Sequence, residues 1–333
     1  MKRRTLLSAS GAILIAVLLF TLNSAIAGQP QIVMKLGGTT PPSMTHPEYA
    51  SLAKFRDVVK QETNDRLRVD IYPSLQLGTL KEHIEGTSMG TIQACNIGLD
   101  FMTGMYPGVG IFSMPYLYRD IGHLQRVFAS QSGQAVLEKV RKDMKLRFIS
   151  VLYRGPRQTM NSARPVARPN DLKGLKMRVP TTPLNLETMK AMGGTPVPID
   201  FSELYSALML KVVDGVENPI DVLYELKGHE TMKYLSLTGH MQSPIPIMVN
   251  EDFYQKLGPD LQQAIMKAGK AAEDLRLELL KTSETKALEV FKSAGVQVTE
   301  VDVPAFKDAT KNVYKQFVHA FGEEMYAAVQ AVK

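Results

Sequence analysis

Two short runs that each end in proline constrain this fold more than any other feature of the chain. Leu175, Met177 and Val179 alternate with Lys176 and Arg178 before Pro180, and residues 212–218 (VVDGVEN) stop in the same way at Pro219. Alternation at period 2 is the pattern of a half-buried strand. Proline has no N–H to give to a ladder, so it closes the strand. Arg178 and Asn218 therefore stand at strand ends. In open α/β sheets ligands bind in the crevice beyond the carboxyl ends of the strands, which makes both side chains candidates to hold a small molecule. Arginine there suits a carboxylate, because its planar fork donates two parallel hydrogen bonds and stays charged at physiological pH. Spacing alone leaves open a solvated or ion-paired Arg178.

The rest of the chain alternates strands with helices. Residues 32–36 form an apolar run, then Tyr49, Leu52, Phe55, Val58 and Val59 recur at helical spacing, and Leu67, Val69 and Ile71 alternate. That is a β-α-β unit, which implies a parallel sheet. A helix over 80–86 and a strand over 91–97 repeat the theme. Further on, a helix is expected over 121–143 and an apolar strand over 148–153, with Gly155-Pro156 marking a turn where the chain can cross between lobes. A strand over 234–241 precedes alternation at Ile245, Ile247 and Val249, which leads back across. From Pro259 to Ser293 the only breaker is Gly269, and Leu261, Ile265, Ala268, Ala272, Leu275 and Leu279 follow one face. At ~1.5 Å per residue this helix runs roughly 50 Å, long enough to brace two lobes. A strand over 295–303 and a closing helix over 306–331 complete the chain.

Lys2, Arg3 and Arg4, an apolar stretch from Ala12 to Leu22 and the small residues Ala25-Ile26-Ala27 have the layout of a secretory signal peptide. Export and cleavage after Ala27 are expected, with the periplasm as destination. The formal net charge of +6 falls to +3 without those three basic residues. No sustained basic run remains, so nucleic-acid binding has no support. The single cysteine, Cys95, excludes an intrachain disulfide and lies in an apolar run as a small buried hydrophobe. Residues 28–333 exceed what one core usually organises, so two lobes are expected.

Residues 86–90 (GTSMG) match the nucleophile-elbow pattern, but that chemistry needs a strand before the serine and a helix after it. Here the order is reversed, and a glycine reads as a helix stop. The six histidines show no metal-ligand spacing and no dinucleotide or phosphate-loop motif occurs. No catalytic residues, metal or cofactor are expected.

Three segments carry a resemblance: DLKGLKMRVP at 171–180, GGTPVPIDFSELYSAL at 193–208 and VDGVEN at 213–218. In this order and spacing they resemble the substrate-binding proteins of TRAP (tripartite ATP-independent periplasmic) transporters, as do YPSLQLG at 72–78 and FSMPYL at 112–117. The resemblance implies an α/β fold of two lobes, like a type II periplasmic binding protein, with a ligand cleft between the lobes and the long helix bracing both. The lobes are expected at 28–154 plus 244–283 and at 155–243 plus 284–333. The implied function is capture of a small organic carboxylate (sugar acid, hydroxy acid or C4-dicarboxylate) and its delivery to the membrane subunits of a TRAP transporter by a monomer. A periplasmic enzyme or a sensor-associated binding protein is the alternative.

Residue by residue, the resemblance gives Arg178 as carboxylate clamp, Asn218 as its hydrogen-bonding partner and Arg157 as a second cation, with Arg154 as rival. Phe201 packs against the ligand or anchors the helix that follows. Two residues come from charge compensation, since buried cations need counter-charges: Glu217 to balance Arg157, and His240 to hydrogen-bond Glu217. From the first lobe, Asn96, Thr40 and His46 are ligand-binding candidates, with Thr39, Asp100 and Tyr116 behind them. Sialate-binding members carry a glutamate near the position of Gly98, which this chain lacks.

Overall fold

A computed structural model describes residues 31–333, so the expected leader at 1–27 lies outside the described residues. The strands are β1 (Ile32–Gly38), β2 (Leu67–Tyr72), β3 (Ala94–Asn96), β4 (Leu146–Asn161), β5 (Lys176–Val179), β6 (Thr195–Pro198), β7 (Gly215–Pro219), β8 (Tyr234–Ser236), β9 (Gln242–Asn250) and β10 (Gln297–Thr299). They form two sheets joined through one strand. The first runs β2-β1-β3-β9-β4, with β1 parallel to both β2 and β3 as the β-α-β pattern required. The second runs β6-β5-β7-β4, with β8 and β10 on the far side of β4.

The first half of β4 pairs with β9, and residues from Arg157 onward pair with β7 and β8. Gly155-Pro156 is therefore not a turn. The register of β4 against β9 shifts between Tyr153 and Pro156, and Gly155 takes φ +95°. A bulge with a left-handed residue re-aims a strand without ending it. Arg157 N–H still donates to Met241 O at 2.8 Å. One continuous strand thus carries the chain from one lobe into the other.

The helix Pro259–Ser293 has the expected bounds. Leu261, Ile265, Ala268 and Ala272 pack under the first sheet with Phe55, Val59 and Leu152, whereas Ala287 and Phe291 join Leu204, Val216 and Leu223 under the second. The helix thus braces both lobes. Gly269 allows its close approach to β4, since a Cβ there would lie 2.6 Å from Ile149 Cγ2. Alanine favours helix by up to ~1 kcal/mol, but overpacking costs ~1–3 kcal/mol. Gly269→Ala is expected to lower stability by about 1–2 kcal/mol in chemical denaturation, and a stabilised variant would refute the close-packing account.

Local sequence misled in two further places. The helix expected over 121–143 is two helices, Ile121–Ala129 and Gln131–Met144, because Ser130 is extended and caps the second through Gly133 N–H. The closing helix is broken into Val303–Thr310, two 3-10 turns and Glu323–Gln330. Val313 and Val329 of this tail pack with Phe112, Phe128, Val136 and Val140. Phe306, by contrast, packs with Leu172, Leu175 and Met177 of the second lobe, so the segment after the long helix touches both lobes. The GTSMG run ends a helix, Leu80–Met89, that opens with a Thr79–Glu82 capping box and stops at Gly90. Ser88 donates to Met144 O at 2.6 Å, a structural bond.

Candidate functional site

The crossing point of β4 and the carboxyl ends of β5 and β7 meet at one place. Antiparallel pairing sets Gln158 opposite Asn218, and parallel pairing sets Arg178 opposite Val216. Strand ends leave backbone and side chains unmatched by a neighbour, so polar groups collect there. Arg157, Arg178, Glu217, Asn218 and His240 are all buried, Arg178 with 1% of its surface exposed.

Arg157 grips Glu217. Its Nη2 donates to Glu217 Oε1 at 2.8 Å and to Glu217 O at 3.0 Å, and its Nε donates to Glu217 Oε2. The same Nη2 donates to Asn218 Oδ1 at 3.1 Å. His240 Nε2 donates to Glu217 Oε2 at 3.2 Å, and the Thr238 hydroxyl lies 2.9 Å from His240 Nδ1. Asn185 Nδ2 adds a long contact to Glu217 Oε1 at 3.5 Å. Burial pushes the Glu217 pKa up, but the Arg157 guanidinium and His240 outweigh it and hold the carboxyl at about 2. Glu217 is thus a buried anion, compensated in the way charge balance predicted from sequence.

Arg178 is held differently. Its Nε donates to Ile199 O at 2.9 Å, and its Nη2 has no partner in the protein. Burial pushes its pKa down to about 10, opposed by Glu217. It remains a cation at neutral pH, only partly compensated. Arg157 takes the Asn218 carbonyl oxygen, which leaves Asn218 Nδ2 as a second buried donor without a partner. Buried donors are nearly always satisfied. Both stand at strand ends, one of them cationic, and each is free to donate to an acceptor.

Phe201 opens the 3-10 turn Phe201–Glu203. It packs partly on the core under the second sheet and also lines a cavity of about 700 Å³. Thr181, Thr182 and Asp200 line that cavity from the second lobe, and Leu80, Phe101 and Met105 from the first. Both readings of Phe201 therefore have geometric support. A second cavity of about 610 Å³ is lined by first-lobe residues alone, and its Arg141 and Arg147 are both bound to Glu251.

The first-lobe candidates divide. Asn96 Nδ2 donates to the Ile245 and Pro246 carbonyls at 3.1 Å, bracing β3 on β9. Thr40 is buried with its hydroxyl unpartnered. His46 is not brought to Arg178. Its Nδ1 accepts from Glu48 N–H at 3.1 Å to cap the helix Pro47–Thr63, and its Nε2 meets Glu225. It belongs to a separate polar group in which Arg154 holds Glu48 and Thr39, and Arg276 donates to Asp221 at 2.6 Å. Arg157, not Arg154, reaches Glu217 and Asn218. The preferred set passed over Asp100, which is 5% exposed and whose Oδ2 lies 3.7 Å from Arg157 Nη1. No spacing rule marks it, because it follows β3 in sequence while its partner lies on β4. Burial pushes the Cys95 thiol up to about 12, which keeps it inert.

Known proteins align with this architecture. The pattern of the bacterial extracellular solute-binding proteins, family 7 (DctP), matches residues 38–320. The chain is 31% identical over 330 residues to the 2,3-diketo-L-gulonate-binding periplasmic protein YiaO of Escherichia coli (strain K12), covering 98% of this chain and 99% of the relative. It is 30% identical over 318 residues to the sialic acid-binding periplasmic protein SiaP of Vibrio cholerae serotype O1, covering 96% and 98%. A solved TRAP periplasmic solute-binding protein from Polaromonas sp. JS666, bound to D-erythronate, superposes with a TM-score of 0.85 at 31% identity, covering 91% of this chain and 99% of that one. The two-lobed fold, the strand-end site and these matches agree: the chain belongs to the family 7 bacterial extracellular solute-binding proteins and is a solute-binding protein of the TRAP type.

Proposed function

We propose that this protein is exported to the periplasm, captures a small organic carboxylate between its lobes as a monomer, and delivers it to the membrane subunits of a TRAP transporter. Arg178 and Asn218 clamp the carboxylate, Phe201 packs against the ligand, Arg157 fixes Asn218, Glu217 holds Arg157 and His240 holds Glu217. Thr40 and Asn96 remain candidate contacts from the first lobe, and His46 stabilises the lobe instead. The observation that carries this reading is the pair of buried donors, Arg178 Nη2 and Asn218 Nδ2, that find no acceptor in the protein. A carboxylate offers two acceptor oxygens and one negative charge to them. The ligands of two relatives, D-erythronate and 2,3-diketo-L-gulonate, are sugar acids of this class.

Closure then follows from differential contact. A ligand touching both lobes only in the closed form favours that form by the contacts it gains there. A thermal-shift screen of residues 28–333 against an organic-acid panel tests the reading. A ligand at 100 times its dissociation constant adds about 2.7 kcal/mol of stability, so one acid class is expected to raise the melting temperature clearly. A panel with no shift, repeated on protein unfolded and refolded to remove copurified ligand, would overturn it.

A further inference from the structure

Asp100 is a buried carboxylate beside the clamp that the family resemblance does not explain. It lies at the start of the short helix Leu99–Met102, on the first lobe, and faces Arg157 of the crossing strand. Its Oδ2 makes no hydrogen bond within the protein, and Arg157 Nη1 at 3.7 Å is beyond hydrogen-bond reach. Asp100 and Glu217 both act on Arg178 through space, so the four charges share one poorly solvated region.

We infer that Asp100 is a specificity-determining residue that accepts a hydrogen bond from the hydroxyl next to the ligand carboxylate, selecting 2-hydroxy monocarboxylates and disfavouring a second carboxylate there. This rests on the clamp reading above and extends it. The argument is one of matching donors to acceptors. Arg178 Nη2 and Asn218 Nδ2 ask for acceptors, which the carboxylate supplies, while Asp100 Oδ2 asks for a donor. Its approach to Arg157, which in turn holds Asn218, sets that donor close to the carboxylate rather than at the far end of the ligand.

Charge counts in the same direction. With Asp100 ionised, Arg157 and Arg178 balance Glu217 and Asp100 before any ligand enters. A monocarboxylate adds one negative charge, and a second carboxylate against Asp100 would add another in a poorly solvated space, where like charges repel strongly. A hydroxyl brings one donor to one unpartnered oxygen, whereas an ammonium brings three. Burial favours the neutral form of Asp100 against the pull of Arg157, and a hydroxyl serves either form because it both donates and accepts.

Calorimetry on the full mature chain and on Asp100→Ala and Asp100→Asn tests this, with D-erythronate, its 2-deoxy analogue and its 2-amino analogue as probes. Wild type is expected to prefer D-erythronate over the 2-deoxy acid by roughly 10- to 100-fold, the range for a hydrogen bond to a charged group. Asp100→Ala should erase that preference, with the 2-deoxy acid bound about as well as before, and the near-isosteric Asp100→Asn should retain part of it. An unchanged preference in Asp100→Ala, or tighter binding of the 2-amino acid by wild type, would overturn the assignment. Arg178→Ala separates the two readings: loss of all three probes there with an unchanged preference in Asp100→Ala leaves the clamp standing and removes Asp100. If wild type binds none of the three, the clamp falls and this inference with it.

Discussion

Arg178→Ala is expected to raise the dissociation constant of the captured acid by roughly 30- to 5000-fold, the equivalent of about 2–5 kcal/mol for truncating one side of a buried charge pair. The loss falls on affinity rather than on folding. Arg178 gives the protein one bond, to Ile199 O, while its charge is desolvated and its Nη2 unpartnered. Removing it takes away a partly compensated cation, so the melting temperature without ligand is expected to hold. Arg178→Lys should fall between, since an ammonium keeps the charge and loses the fork. Calorimetry with the best acid from the panel measures this, and near-native affinity in Arg178→Ala would refute the clamp.

Glu217→Ala is expected to do the reverse and strike stability as well as binding. It leaves Arg157, 3% exposed, without its bidentate partner. Breaking a buried pair from one side costs about 3–5 kcal/mol. Denaturant unfolding should show that loss, and affinity should fall as Asn218 loses the neighbour that orients it. The double change Arg157→Met with Glu217→Leu should regain stability, because replacing both charges by apolar groups is often neutral or better, while affinity stays low. The pH dependence has a definite sign. Glu217 titrates near 2 in the folded protein against an ordinary value of 4.5. The unfolded chain binds more protons between those values, so this contribution is present above about 4.5 and lost as pH falls toward 2. Glu217→Gln should flatten that part of the acid-stability curve. Wild-type and variant curves of equal slope there would show that the pair does not hold the site.

Much of the site was legible because its residues sit at positions that chain chemistry marks. Prolines at 180 and 219 fixed where β5 and β7 stop, and so where Arg178 and Asn218 stand. Glu217 and His240 followed from the need to compensate a buried Arg157, and the contacts at 2.8 Å and 3.2 Å are those expected. His46 has a local role that its sequence position allows: it precedes Pro47 and Glu48, where a ring nitrogen can cap a helix, and its Nδ1 does so. The closing helix was misjudged because Val313, Phe317 and Phe321 have the spacing of a helix face but fall in or beside two 3-10 turns, where burial against Phe112 and Phe128 breaks the helix.

By itself the sequence determined the elements and the kind of protein: the parallel β-α-β start, the bracing helix Pro259–Ser293, the strand ends that carry Arg178 and Asn218, and the family. These depend on periodicity, proline, glycine and charge balance, which act over a few residues or are summed over the chain. Tertiary structure alone decided that Gly155-Pro156 bends a continuous strand and that Asp100 faces Arg157, and it settled the rivalry of Arg154 and Arg157 in favour of the residue that the resemblance had indicated. Each depends on which strands become neighbours and on how a bulge rotates β4. Arg154 and Arg157 are three residues apart, and only the twist between them sends one to Glu48 and the other to Glu217.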